Sequence, residues 1–255
     1  MAKLIAFAVC FLIAVSQSAC ASAAIEPGPC KSQSFEGSGF VVCAFDATSQ
    51  ELRIVTAGKN GANLRSLEAL AQALGADANR VRFAMNAGMF DEDGGPIGLT
   101  IENGVTRHAI STSDGPGNFH MKPNGIFSHD DQGALHIDTS KSFIARGGSA
   151  RWATQSGPML VIQGALHPKI QHDGESRYIR NGVGLRAGHT ALFVISHGPV
   201  SFGKLARFFR DKLGCMDALY FDGSVSSLWA PSLERMDKRR PLGPMVVVLD
   251  RPSTP

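Results

Sequence analysis

The stretch ALYFDGSVSSLW, Ala218 to Trp229, decides how this chain is read. Leu219, Tyr220 and Phe221 predict a short buried strand, because apolar and aromatic side chains of this kind fit a pleated, covered surface. The strand runs into Asp222-Gly223-Ser224. That places a carboxylate at its carboxyl end and a glycine where the backbone can turn sharply or approach a ligand closely. Just upstream, SFGKLARFFRDKLG sets Phe202, Leu205, Phe208, Phe209 and Leu213 on one helical stripe, with Gly214 as its stop. The local unit is helix, link, strand, polar turn, and it occurs twice. In NLRSLEALAQALG, Leu64, Leu67, Leu70, Ala71 and Leu74 share a face, Asn63 reads as the N-cap and Gly75 as the stop. The strand Val81 to Met85 follows and ends in Asn86-Ala87-Gly88. One such end reads as an ordinary Asx-type turn; two, each behind a matched helix, favour a shared role.

Short strands make up most of the rest. Gly39 to Phe45 and Glu51 to Val55 predict a strand pair across a polar turn. Pro96 to Ile101 reads as a strand entering a turn at Glu102-Asn103-Gly104-Val105, and Pro123 to Phe127 with Ala134 to Ile137 gives another hairpin. Thr154-Gln155-Ser156-Gly157-Pro158 leads into the strand Met159 to Ile162. Residues 165–180 are polar and irregular, as suits a surface loop bordering a site. Arg180 to Leu185 and Ala191 to Ser196 form the next hairpin, and Met245 to Leu249 is a deeply buried closing strand. Many strands and two clear helices predict an α+β fold: a single domain of mixed, mostly antiparallel β-sheet with two main helices.

The 255 residues are 44% hydrophobic and 18% charged, enough for a substantial core. A net charge of +3 is too small to argue for nucleic acid, and the longest basic cluster, Lys238-Arg239-Arg240, reads as a solvated face. Two tryptophans and two tyrosines are too few for a base-stacking platform. At the start, Lys3, the apolar run Leu4 to Val15 and the small residues Ala21-Ser22-Ala23 read as a secretory signal, removed after Ala23. The apolar run is short of the roughly 20 residues a membrane span takes. Acylation at Cys20 is the alternative, but it would put Gln17 where an aliphatic residue belongs. The expectation is a signal peptide at 1–23, a domain at 24–255, no membrane span in the mature chain and a periplasmic or secreted location. In an oxidising compartment Cys30 and Cys43 can pair, and Cys215, opening a buried strand, reads as an inert core thiol.

Polar-glycine turns recur at strand ends: Asn86-Ala87-Gly88, Thr154-Gln155-Ser156-Gly157, Arg180-Asn181-Gly182 and Asp222-Gly223-Ser224. Gathered at one rim, they would surround a cleft with carboxylate, guanidinium, amide and hydroxyl groups, a mixture suited to a sugar, a phosphate or both. Arg180 offers a planar fork for phosphate oxygens; the plainer alternative is an ion pair at a surface or interface. Asp91-Glu92-Asp93-Gly94 lacks the spacing of a full calcium loop, and the eight histidines show no HxH or HExxH grouping. Gly-x-Ser-x-Gly is absent as well. No metal or other cofactor is expected.

The motifs NAGMF…PIGLTIENG, TQSGPMLVIQG, RNGVG and ALYFDGSVSSL, in this order, resemble the phosphodiester glycosidase family over roughly residues 38–250, most closely its bacterial secreted, exopolysaccharide-related branch. The resemblance implies hydrolysis of the bond between a sugar's anomeric carbon and a phosphodiester. It also places the family's Asn-Gly-Gly strand end on Asn86-Ala87-Gly88, its Gly-Pro turn on Ser156-Gly157-Pro158 and its arginine on Arg180. The family's Asp-Gly-Gly-Gly-Ser segment falls on Asp222 to Ser226 and departs from the pattern at Ser224 and Val225. A phosphate ester leaves readily, so such cleavage needs charge stabilisation of the phosphate and a carboxylate near the oxocarbenium-like centre. Arg180 is assigned to the phosphate, Asp222 to base or nucleophile, and Asn86 to orienting the substrate. Gly88, Gln155, Ser156, Gly157, Asn181, Gly223, Ser224 and Ser226 line the binding site, with Glu175 as a second carboxylate candidate. The partner is a sugar-phosphate or glycan substrate; no oligomeric state is assigned. A non-catalytic carbohydrate-binding or exopolysaccharide-assembly protein with the same cleft is the rival reading.

Overall fold

Along Ser38–Asp46 (β2; strands are numbered along the chain) alternate side chains face opposite ways. Val41, Cys43 and Phe45 enter one core, while Phe40, Val42 and Ala44 enter another. Both faces are covered, which is why the strand reads as an almost unbroken apolar run. The computed structural model describes residues 30–186 and 190–252; the signal peptide expected at 1–23 lies outside them. In it β2 lies between β1 (Lys31–Phe35) and β13 (Thr190–Ser196). This sheet has seven strands and continues through β12 (Asn181–Arg186), β14 (Asp217–Tyr220), β10 (Met159–Ile162) and β11 (Ala165–Leu166). A second sheet runs β16 (Arg235–Met236), β15 (Leu228–Ala230), β4 (Val81–Asn86), β17 (Met245–Asp250) and β3 (Gln50–Val55). A third runs β6 (Val105–His108), β5 (Thr100–Glu102), β9 (Trp152–Ser156), β7 (Gly125–His129) and β8 (Leu135–Thr139). Neighbouring strands are antiparallel in all three sheets, as expected for the α+β class.

The three sheets share one core. The Phe193 ring is its junction, lying 5.3 Å from Phe83 of the second sheet, 5.5 Å from Phe127 of the third and 6.3 Å from Phe221 after β14. On β17, Val246 and Val248 enter this core, while Met245, Val247 and Leu249 pack towards helix α1 (Leu67–Leu74). The other face of the first sheet is covered by α3 (Phe202–Arg207), where the Phe208 ring stacks on Phe40 at 4.0 Å.

Three local expectations change. The strands at β2 and β3 form but do not pair: the chain turns at Asp46, with Ser49 N–H donating to its carbonyl at 3.2 Å, and crosses from the first sheet to the second. Helix α1 is capped by Ser66, whose side chain accepts the Ala69 N–H, because Asn63 is still in extended chain bridged to Ala57. Gly75 ends the helix at φ +58°, as its position predicts. Thirdly, α3 widens into a π turn at Phe208–Lys212, where Leu213 N–H reaches Phe208 O at 3.0 Å before Gly214 turns away at φ +68°. A short helix, α2 (Ser140–Ala145), covers the third sheet by inserting Phe143 and has no amphipathic run long enough to announce it.

Cys30 and Cys43 form a disulfide that staples the chain before β1 to β2. Its 13-residue separation corresponds to about 3 kcal/mol of loop-closure entropy. The Cys30→Ser/Cys43→Ser variant is expected to unfold at lower denaturant by that order; an unchanged midpoint would show that the staple restrains nothing. Cys215 is buried and its thiol is pushed up to about 12 by that burial, so it stays a thiol at neutral pH.

His129, at the end of β7, meets Phe45 edge-on with ring centroids 6.0 Å apart, and neither ring nitrogen has a hydrogen-bond partner among the described residues. Burial holds its pKa below the ordinary 6.5, with Arg151 and Arg251 adding to the effect and Asp130 opposing it. The unfolded chain therefore takes up a proton near pH 6.5 that the folded chain refuses. Stability falls as pH drops from there towards the depressed folded value. Unfolding midpoints measured across this range should slope less in a His129→Leu variant; identical slopes would acquit His129.

Candidate active site at the strand ends

β4 ends at Asn86 in the second sheet; β12 begins at Asn181 in the first, and β14 delivers Phe221 and Asp222 beside it. A backbone bond joins the sheets here, Asp222 N–H donating to Ala87 O at 3.1 Å, while Phe221 N–H continues the first sheet by donating to Asn181 O at 3.1 Å. Two buried amides complete the splice. Asn86 Nδ2 donates to Asp222 O at 2.7 Å, and Asn86 Oδ1 accepts from Asn181 Nδ2 at 3.0 Å and Ser227 N–H at 2.8 Å. Asn181 Nδ2 also reaches Asn86 O at 2.9 Å, and Ser226 Oγ lies 3.1 Å from Asn181 Oδ1. Both asparagines are at most 1% exposed, so they fix the turn that carries Asp222 rather than reach outward themselves.

Asp222 is half-buried. Its Oδ1 accepts the Ser224 N–H at 3.1 Å and the Ser224 hydroxyl at 2.7 Å, an Asx turn that sets the carboxyl rotamer. Its Oδ2 takes no hydrogen bond from the described residues, leaving one carboxylate oxygen for a ligand. Gly223 is required: a Cβ there would run into the Tyr220 hydroxyl. Tyr220 and Asp222 share a side by the two-residue strand period, the one sequence signal that could have picked out Tyr220. Burial pushes the Tyr220 phenol up to about 12, so it keeps its proton.

Arg180 is 1% exposed, and its guanidinium faces protein. Nε donates to Val200 O at 2.9 Å, Nη1 to the Tyr220 hydroxyl at 2.9 Å, and Nη2 to Ser176 O and Oγ at 3.0 Å. The Phe202 ring centroid lies 3.6 Å from its Cζ, and burial holds its pKa below the usual arginine value. This geometry is neither an open phosphate fork nor a surface ion pair. Arg180 holds Tyr220, and through it the Gly223 turn, against the loop at Ser176.

The other expected residues divide. Gly88 is buried, its N–H on Thr154 Oγ1 at 3.1 Å; a Cβ there would meet Gln155 O at 2.6 Å. The Gln155 side chain is used up by Leu99 N–H, Ser111 N–H, Ser111 O and Ser140 Oγ, at 2.7–2.9 Å. It ties loops of the third sheet together and is not free for substrate. Ser156 Oγ is buried without a partner among the described residues, and Gly157 packs on Asn124 and the Phe119 carbonyl. Glu175 lines an open groove of about 530 Å³ with Met121, Lys169, Gln171, Ser176 and Phe202. A smaller cavity of about 170 Å³ lies at the Asp222 turn itself, walled by Tyr178, Ile179, Gly223 to Ser226, Arg239 and Arg240. The segment from Gly174 to Ile179 borders both. Lys238, Arg239 and Arg240 are exposed, as expected of a solvated face, and Arg239 and Arg240 also line this cavity.

The chain is a three-sheet α+β domain with a carboxylate turn at a sheet junction. The chain matches the model of the phosphodiester glycosidase family over residues 79–249 and belongs to that family. It is 37% identical over 162 residues to the uncharacterized protein YigE of Escherichia coli K12, a match covering 62% of this chain and 62% of that protein. Among solved structures it is similar to the catalytic domain of zebrafish N-acetylglucosamine-1-phosphodiester alpha-N-acetylglucosaminidase, auto-inhibited by its pro-peptide. The TM-score is 0.61 and the identity 15%, over 87% of this chain and 81% of that one. A hypothetical protein from Synechocystis shares the fold at TM-score 0.53 and 16% identity, over 87% of this chain and 61% of its own. Family and fold support a glycosidase-type function. No helix among the described residues is long and apolar enough to cross a membrane.

Proposed function

We propose that this protein is a secreted or periplasmic hydrolase that cleaves the bond between a sugar's anomeric carbon and the oxygen of a phosphodiester, in an envelope or extracellular glycan. The observation that carries the reading is the Asp222 carboxylate. One oxygen is locked by Ser224, the other is free, and the turn borders a cavity at the junction of two sheets. With Asp222 as base, a water oxygen bonds to the anomeric carbon and its proton passes to Asp222. The carbon–oxygen bond breaks with its electron pair going to the phosphate, and the products are a free sugar and a phosphomonoester. With Asp222 as nucleophile, the same bond breaks against the carboxylate, and water releases the sugar in a second step. Asn86, Asn181 and Arg180 position the turn in either case.

The departure at Ser224 favours one further reading. Its hydroxyl occupies Asp222 Oδ1 at 2.7 Å, where the family pattern has glycine, and a cleft so modified could bind glycans without cleaving them. Incubating the protein with a panel of sugar-1-phosphodiesters and following phosphorus NMR separates the two. The proposal expects a phosphomonoester signal to grow. Saturable glycan binding with no phosphomonoester across the panel would replace it with the binding-protein reading.

A further inference from the structure

With the Arg180 fork occupied by Val200, Tyr220 and Ser176, a phosphoryl group at the Asp222 turn needs another cation. The cavity beside the turn supplies two. Its volume of about 170 Å³ is well below the 300–1,000 Å³ of drug-sized pockets, so it accepts one compact group. Most polar groups of its wall are already engaged. Ser224 Oγ and N–H donate to Asp222, and Ser226 Oγ donates to Ile179 O at 2.9 Å. Arg239 and Arg240 are different. The cations just before them are paired, Arg235 with Asp237 at 2.7 Å and Lys238 with Glu68 at 3.1 Å. Arg239 and Arg240 have no carboxylate within 4.0 Å among the described residues. Arg239 and Arg240 are exposed residues in the wall of a small cavity, and two guanidiniums without a carboxylate partner there favour an anion.

We propose that Arg239 and Arg240 bind the phosphoryl group of the substrate in this cavity, an inference that rests on the glycosidase reading above. Ser224 both walls the cavity and bonds to Asp222. A phosphoryl group held by the arginines therefore sits one residue from the carboxylate, and the scissile bond lies between them.

The test uses the protein with Arg239→Gln/Arg240→Gln, and with Lys238→Gln as a surface-charge control. Each is titrated with inorganic phosphate and dimethyl phosphate by phosphorus NMR line width, and assayed on any sugar-1-phosphodiester that is turned over. The double variant should bind both probes about tenfold more weakly, on the scale of charge-assisted hydrogen bonds. Its KM should rise more than its kcat falls, and salt should weaken wild-type binding more than the variant's. Lys238→Gln should match the wild type. Arginine-dependent phosphate binding without turnover of any phosphodiester upholds the anion site and removes the glycosidase reading. Turnover with unchanged KM and unchanged phosphate binding in the double variant does the reverse, and absence of phosphate binding by the wild type also overturns the inference.

Discussion

Asp222→Asn is expected to fold as the wild type and to lose turnover by about a thousandfold or more, within the range by which a positioned general base or nucleophile accelerates a step. The fold survives because the anchor does: an amide oxygen at Oδ1 still accepts the Ser224 N–H and hydroxyl, as the carboxylate does at 3.1 and 2.7 Å. The three main-chain bonds of residue 222, to Ala87 O and from Asn86 Nδ2 and Val225 N–H, do not involve its side chain. What changes is the free oxygen, which can no longer take a proton or attack a carbon. A steady-state assay beside an unfolding curve reads both halves. Wild-type kcat in a folded Asp222→Asn protein would take Asp222 out of the mechanism.

Asn86→Ala should be the most damaging single change to the junction. It leaves Ser227 N–H without the partner it now holds at 2.8 Å, in a place closed to water, while Asn181 Nδ2 keeps Asn86 O at 2.9 Å and Asp222 O keeps Val225 N–H at 3.4 Å. An unpaired buried polar group costs about 1–3 kcal/mol, and two further bonds are lost from groups that keep another partner, so a loss of about 2–4 kcal/mol is expected. Activity should fall with it, because the Asp222 turn is held by this amide. Asn86→Asp separates geometry from charge. It keeps the acceptor for Asn181 and Ser227 but sets a carboxylate against the Asp222 carbonyl. That repulsion raises the new group's folded pKa, so the variant is most stable at low pH, where the group is protonated. Its stability is lost as pH rises through that raised value. Denaturant unfolding at several pH values tests both variants; Asn86→Ala within about 0.5 kcal/mol of wild type would mean that the amide splice does not hold the sheets together.

The strand ends were legible because their chemistry is local. Asn-Ala-Gly and Asp-Gly-Ser after apolar runs announce strand termini, and Asn103-Gly104 delivers the two positive-φ residues of a tight hairpin, at +49° and +79°. Gly75 and Gly214 stop their helices for the same reason. What failed depended on distant partners. β2 and β3 are adjacent in sequence, but their sheet membership is decided by β13 and β17, far along the chain. Arg180 carries no local mark that its guanidinium will meet a tyrosine 40 residues on and a ring at Phe202. The Lys238-Arg239-Arg240 triplet is uniform as sequence, yet the fold pairs Lys238 with Glu68 and sets Arg239 and Arg240, both exposed, in the wall of the cavity. Ser66 and Asn63 are equally good caps, and only the bridge from Asn63 to Ala57 decides between them.

The central claim is that the anomeric carbon–oxygen bond is the one that breaks. Hydrolysis of a sugar-1-phosphodiester in heavy-oxygen water, with mass analysis of both products, tests it most directly. The account predicts the label on the anomeric hydroxyl of the released sugar and an unlabelled phosphomonoester. Label in the phosphate would mean attack at phosphorus, and Asp222 would then serve a phosphodiesterase rather than a glycosidase.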